Sequence, residues 1–211
     1  MFFKLLLSFF IAFQSGTILV DKIAAVVNDE IITVSDIDKS IQFNSPLRKK
    51  NESVSDFYLN ELKNLINYKV IYIEYRDQFK LTEEDFEGVN RSTIEKYGSL
   101  TKFISILKKF DMDMNDFREF VKEKILFDKV IREKFQLNII IDFKEIEKFY
   151  NKEYLTFQKE LNLVPKTIIE MTPVIEKHLR EKRITKKLTF WLDEIRSSYK
   201  IINILKRGGK G

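Results

Sequence analysis

The sequence has no cysteine and only one histidine, His178, among its 211 residues. The lack of cysteine excludes a disulfide framework, a thiol nucleophile, zinc sites with thiolate ligands and the lipid-bearing cysteine of a bacterial lipoprotein. A single histidine excludes a metal site built from several imidazoles, and a Ser-His-Asp triad would have to use His178. The composition therefore excludes most functions that depend on cysteine or on several histidines.

Glycine and proline are also scarce, with six and three residues respectively. Four of the glycines lie near the chain ends, and the two others, Gly88 and Gly98, stand alone. No GxGxxG motif or P-loop is therefore present, and we expect no bound cofactor. With 44% hydrophobic and 33% charged residues, the composition is typical of a helix-rich globular protein rather than a disordered one.

The first 16 residues have the layout of a secretory signal peptide. One cation, Lys4, precedes the apolar run Leu5–Phe13, which is interrupted only by Ser8, and polar or small residues follow. The run is shorter than the roughly 20 apolar residues that a bilayer span requires. We therefore predict a cleaved signal peptide at residues 1–16 and an exported protein. An uncleaved anchor and a buried N-terminal helix are the alternatives.

A β-hairpin is predicted near the start of the mature chain. The β-branched runs Ile23–Val27 and Glu30–Val34 flank the pair Asn28-Asp29, and both of these residue types tolerate the positive φ of a tight turn. Ser35 is predicted to cap the helix that follows. Apolar residues at intervals of three and four between Asp56 and Phe79 then predict one long amphipathic helix.

Three later helices are predicted from a shared start signal, in which a capping residue precedes an acid by three positions. Ser99 is predicted to cap another, short helix. Thr172-Pro173 is predicted to begin the last helix, because proline suits the first helical turn. The run Lys200–Leu205 predicts a closing strand. The three capping residues of the shared signal are Thr82, Asp113 and Asp142.

Two separated segments resemble the SurA-like periplasmic chaperones. Residues 20–38 read VDKIAAVVNDEIITVSDID, which is similar to the opening motif of that family, and the similarity continues to about residue 150. Residues 174–205 contain FWLDEIR and IINIL, which resemble the C-terminal helix and strand of the family. The opening motif is rather specific, whereas the helical remainder is not.

The resemblance implies a mainly α fold: a SurA N-terminal-type helical chaperone domain, with a small antiparallel β-sheet joining the N-terminal hairpin and the C-terminal strand. Residues 17–150 and 174–205 would form this core, and residues 206–211 a basic tail. Residues 151–173 would be the short connector at which the family carries parvulin prolyl isomerase domains. Parvulin sites use paired histidines and a Gly-Gly-x-Leu-Gly stretch, which this chain lacks, so we expect no isomerase domain and no enzyme.

The resemblance further implies an ATP-independent periplasmic chaperone that binds unfolded or extended polypeptides, outer-membrane proteins among them, in an apolar groove. We expect no nucleic-acid partner and no stable membrane span after signal cleavage. A dedicated assembly partner on the same fold and a residual isomerase are the alternatives. Candidate peptide-binding residues are Phe103, Phe110, Phe117 and Phe120, which cluster within 18 residues. The competing interpretation, which is favoured, places these rings in the helix-packing core.

Two charged features have simple structural interpretations. The basic stretch Lys177–Lys187, which includes His178, is interpreted as the solvent-exposed face of an amphipathic helix rather than as a site for phosphate or lipid headgroups. The paired acids Glu83-Glu84 and Asp111/Asp113 fall at helix starts, where capping explains them better than acid–base catalysis does.

Overall fold

The computed structural model describes residues 21–44, 48–136 and 139–205. Within these ranges the fold is mainly α with a small three-stranded antiparallel sheet, as the sequence predicts. The predicted signal peptide and basic tail lie outside the described residues.

The strands are β1 (Ile23–Val27), β2 (Glu30–Thr33) and β3 (Ile201–Asn203). The helices are α1 (Val34–Phe43), α2 (Val54–Tyr75), α3 (Glu83–Tyr97), α4 (Leu100–Lys108), α5 (Met114–Ile131), α6 (Phe143–Phe149), α7 (Leu155–Glu160) and α8 (Ile168–Ser197), with π turns at Arg132–Gln136 and Tyr150–Tyr154.

The sheet joins the N-terminal hairpin to the C-terminal strand, which confirms the prediction. The strand order is β2-β1-β3, and Val26 at the centre of β1 pairs with Ile31 on one side and Ile202 on the other. Asn28 adopts a left-handed φ of 53° in the hairpin turn. Its side-chain oxygen accepts from the Lys200 N–H at 3.0 Å, so the turn also fixes the start of the closing strand.

Capping boxes begin the three helices for which the sequence predicts them. In each box the acid at the third helical position accepts from the N–H of the cap. The Asp113 side chain accepts from the Asp116 N–H and the Asp142 side chain from the Lys144 N–H, whereas the Thr82 hydroxyl donates to the Asp85 carboxylate. Ser99 also caps α4 as predicted. The prediction of Ser35 as the cap of α1 is wrong, because Thr33 and Asp36 form the box there. The helix thus begins directly where β2 ends.

The last helix begins earlier than predicted. Thr167 and Glu170 form a capping box, and α8 starts at Ile168, so Pro173 lies inside the helix rather than at its first turn. Proline at this position removes one backbone hydrogen bond near the helix start. The nearby hydroxyl of Thr172 donates to the carbonyl oxygen of Ile168 at 2.8 Å. The predicted connector, residues 151–173, is therefore mostly helical.

The main body comprises the described residues of 21–136 together with residues 184–205. Its core contains three apolar clusters: one beneath the sheet, one among α3, α4 and α5, and one where α2, α5 and α8 meet. The Trp191 ring packs in the third cluster, with its centroid 5.9 Å from that of Tyr75 and 5.2 Å from that of Phe135. The last helix is therefore anchored to the body, as the sequence predicts.

A smaller lobe, residues 139–183, comprises α6, α7 and the first half of α8. Its core is a single cluster in which only Ile139, Ile141, Ile146 and Ile175 are buried. The guanidinium of Arg180 on α8 donates to the Ile139 carbonyl oxygen at 2.6 Å, which fixes the first residue of the lobe against this helix. Exposed apolar side chains of the lobe are Ile140, Phe143, Phe157, Leu161, Leu163, Val164, Ile169 and Val174.

Candidate functional site

A cleft of about 190 Å³ lies between β2, at one edge of the sheet, and α5. We call it the edge cleft. It combines apolar walls with charged groups of both signs, and four separate elements supply its lining. The lining residues are Ile31 and Ile32 of β2, Asp36 and Asn44 at the two ends of α1, Leu65, Tyr68 and Lys69 of α2, and Glu119, Phe120, Glu123 and Lys124 of α5.

Strand β2 is an edge strand. It pairs with β1 alone, and no strand of the described part of the chain pairs with its other side. Ile31 at its centre is 51% exposed and lies at the cleft. An edge strand presents backbone N–H and C=O groups that can pair with an added strand. The arrangement therefore offers backbone groups next to a partly apolar cleft.

A charged cluster connects the elements around the cleft. The ammonium of Lys69 lies 2.5 Å from a carboxylate oxygen of Glu123 and 3.7 Å from one of Glu30. It therefore links α2 to α5 and to the start of β2. Burial raises the pKa of Glu123 above its usual value, although the neighbouring Lys69 acts in the opposite direction. The cost of burying this carboxylate outweighs the benefit of its pairing.

Tyr68 contributes a neutral phenol to the cleft. Burial raises its pKa above the usual range, and the nearby carboxylate of Glu61 adds to the effect. The ring packs edge-on against Phe127, with centroids 5.0 Å apart. Tyr68 therefore presents a fixed, protonated hydroxyl rather than an ionisable nucleophile.

The structure places the four predicted phenylalanines differently from one another. Phe103 and Phe117 have no exposed surface and their rings pack edge-on at 4.9 Å, so the prediction that they line an open groove is wrong. They fill the cluster among α3, α4 and α5, together with Phe43. Phe110 packs partly buried against the same cluster. Of the four, Phe120 alone lines the edge cleft.

Sequence reasoning missed the charged residues of the cleft, although a signal for them exists. Lys69 falls three positions after Ile66 and four before Ile73, both of which pack in or against the core, so it lies within the apolar stripe of α2. Glu123 has the same relation to Phe120 and Phe127 on α5. A charged side chain within an apolar stripe needs a partner of opposite charge when the helix packs. Lys69 and Glu123 are such partners for each other.

The remaining candidates for chemistry have structural partners. Arg118 binds both carboxylate oxygens of Glu83, at 2.6 and 2.8 Å, and its hydrogen bonds lower the pKa of Glu83. Asp113 caps α5. His178 is exposed, with its ring 5.1 Å from that of Phe149. Across the described ranges, no three carboxylate or imidazole side chains are grouped so as to hold a metal ion.

None of the helices in the described ranges has the length and apolar character needed to cross a membrane. A comparison of the chain with models of known protein families finds no match. A comparison with curated proteins finds none either. The fold and the cleft thus define the class: a mainly α protein whose small sheet joins the N-terminal hairpin to the C-terminal strand, and whose outer strands β2 and β3 each pair with β1 alone among the described strands.

Proposed function

We propose that this protein is an ATP-independent chaperone that holds unfolded or extended polypeptides in the periplasm, with outer-membrane proteins among its clients. The observation that carries the proposal is the edge strand β2 with its half-exposed Ile31 beside the edge cleft. The similarity of residues 20–38 and 174–205 to SurA-like chaperones supports the class of function. The predicted signal peptide at residues 1–16 supports the compartment.

The mechanism is the addition of an extended client segment to the edge of β2. Backbone hydrogen bonds to the strand give affinity that does not depend on client sequence, and side chains of the client alternate between the cleft and solvent. A cleft of about 190 Å³ has roughly the volume of six waters. It therefore accepts one large side chain, against Ile31, Leu65 and Phe120.

The lining favours a broad range of clients. Its charges include both signs, because Lys69 and Lys124 line it together with Asp36, Glu119 and Glu123, so neither acidic nor basic segments are repelled as a class. A short strand and one side-chain pocket give weak binding at each contact. Weak contacts suit a client that must later be released, and no covalent step is needed.

Suppression of aggregation tests the proposal. The protein should keep several unrelated, chemically unfolded proteins in solution without ATP, and Ile31→Asp should weaken this effect because it places a charge at the apolar mouth of the cleft. Ile140→Asp is the matched control, since Ile140 is 85% exposed but lies on the lobe. It should retain full activity.

Other outcomes separate the alternatives. Protection of a single protein only would indicate a dedicated assembly partner. An equal loss of aggregation suppression in the Ile31 and Ile140 variants would show that the cleft does not bind the client. Prolyl-peptide isomerisation above the uncatalysed background would contradict the expectation that the chain is not an enzyme.

A further inference from the structure

The end of α7 and the loop that follows it form a protruding apolar tip, residues 157–166. Val164 is 91% exposed, and Phe157, Leu161 and Leu163 are each more than half exposed. A side chain exposed to this degree stands out from the surface rather than lining a groove. The tip is therefore a convex apolar surface, and the edge cleft on the main body is concave.

Most of the backbone N–H groups of the tip already have hydrogen-bond acceptors within the lobe. The loop Leu161–Lys166 has five N–H groups, since Pro165 has none. Four of these five donate to oxygens of the tip or of the adjoining helix. The bonds are Leu161 N–H to Phe157 O at 3.2 Å, Asn162 N–H to Lys159 O at 3.2 Å, Leu163 N–H to Gln158 O at 2.9 Å and Lys166 N–H to Tyr154 Oη at 2.9 Å.

Two tyrosines fix the far end of the loop. The Tyr150 and Tyr154 rings stack with centroids 5.3 Å apart. The Tyr150 hydroxyl donates to the Lys166 carbonyl oxygen at 2.7 Å, and the Tyr154 hydroxyl accepts from the Lys166 N–H. The exposed apolar side chains are therefore held by an ordered backbone.

These features favour a lipid surface over a polypeptide as the partner. An extended polypeptide binds best where backbone groups are open or where a cleft receives its side chains, as at β2. The tip is not part of a strand, and four of the five N–H groups of its loop are already bonded. A lipid layer accepts an apolar surface of any convex shape, and residues 161–165 carry no charged side chain that would have to leave water.

Charge at the base of the tip agrees with this partner. Lys159 and Lys166 are exposed at its two sides, and Lys152 is exposed three residues before α7 begins. The acids Glu153 and Glu160 are exposed in the same stretch, so lysines exceed acids there by one. The long apolar stem of lysine lets the ammonium remain at the level of the headgroups while the neighbouring side chains enter the acyl region. Cations at that level attract anionic lipids.

We propose that the tip inserts its apolar side chains into the surface of a bilayer that contains anionic phospholipid and so holds the protein peripherally at the membrane. The tip and the edge cleft are separate surfaces. Lipid binding and client binding can therefore each fail without the other.

The lack of cysteine makes a direct test simple. Val164→Cys labelled with a polarity-sensitive fluorophore reports the environment of the tip, and labelled Val54→Cys, 67% exposed on the main body, is the matched control. Vesicles of mixed phosphatidylcholine and phosphatidylglycerol should shift the emission of the tip label to the blue. The shift should be weaker with phosphatidylcholine alone and absent at the control site.

Two results would overturn the proposal. No shift at residue 164 would mean that the tip stays in water and that a protein is the better candidate for its partner. Equal shifts at residues 164 and 54 would trace the lipid contact to some other part of the chain.

A second experiment tests the lysines. Replacing Lys159 and Lys166 by glutamine should weaken binding to the mixed vesicles roughly 30-fold, because each cation near an anionic surface adds about a fivefold gain in affinity. The control replaces Lys49 and Lys50, two exposed lysines of the main body, in the same way. An equal loss in both double variants, or no loss in either, would contradict the role of the tip lysines.

Discussion

The main body and the lobe differ in how many of their large apolar side chains are exposed. The main body buries them in three clusters, and only six of its large apolar side chains are exposed in the described ranges. The much shorter lobe has eight exposed large apolar side chains and a core cluster of four buried residues. The difference does not come from missing local structure, since the lobe has capped helices and a bonded loop. Apolar exposure on the lobe is thus compatible with a role in binding, whereas the core of the main body serves stability.

The largest expected effect comes from truncating a ring in each region. Phe103→Ala should lower the free energy of unfolding by about 3–5 kcal/mol, because the side chain is fully buried and its removal leaves a cavity. Phe157→Ala, the matched change at a 55% exposed ring of the lobe, should alter it by about 0.5 kcal/mol or less. Urea denaturation measures both. Similar losses in the two variants would contradict the division into core and binding surface.

A smaller effect tests whether the lobe opens on its own. Ile175→Ala should weaken the lobe cluster by about 2–5 kcal/mol, since Ile175 is 1% exposed at its centre. Amide hydrogen exchange should then accelerate in residues 139–176 and stay unchanged in α2 and α5 of the main body. Faster exchange throughout the chain would mean that the two regions unfold as one unit.

The smallest effect is a pH dependence at the cleft. Burial raises the pKa of Glu123 above its usual value of 4.5, so the folded protein keeps this proton at a pH where the unfolded chain has lost it. The free energy of unfolding should therefore fall as the pH rises from 4.5 through the raised pKa, and then level off.

Glu123→Gln should remove this contribution, which urea denaturation at a series of pH values would detect. Glu119→Gln, at the exposed rim of the same cleft, is the control and should keep the slope of the parent protein. A slope that survives in the Glu123 variant would assign the pH dependence to another group.

Local signals explain what could be predicted from the sequence. The hairpin around Asn28, the capping boxes at Asp113 and Asp142 and the closing strand each depend on a few neighbouring residues, and each is confirmed. The errors at Ser35 and Pro173 are also local. In both cases a competing cap, Thr33 or Thr167, lies a few residues upstream and forms the reciprocal box.

The candidate site depends on contacts between distant residues, which the pattern of one helix cannot specify. Lys69 and Glu123 are 54 residues apart, and only the packing of α2 against α5 brings them together. The aromatic cluster allowed two interpretations, with the core favoured, for the same reason. Phe103 and Phe120 both pack against Phe43, with ring centroids 6.3 and 6.2 Å apart, yet Phe103 is fully buried whereas Phe120 also lines the cleft.

Amide hydrogen exchange with and without an unfolded client tests the central claim most directly. A suitable client is reduced and carboxymethylated α-lactalbumin, which stays unfolded without denaturant. The proposal predicts that the client slows exchange in Glu30–Thr33 of β2 and leaves Leu161–Val164 of the tip unchanged. Unchanged exchange in β2, or slowing confined to the tip, would contradict the assignment of client binding to the edge cleft.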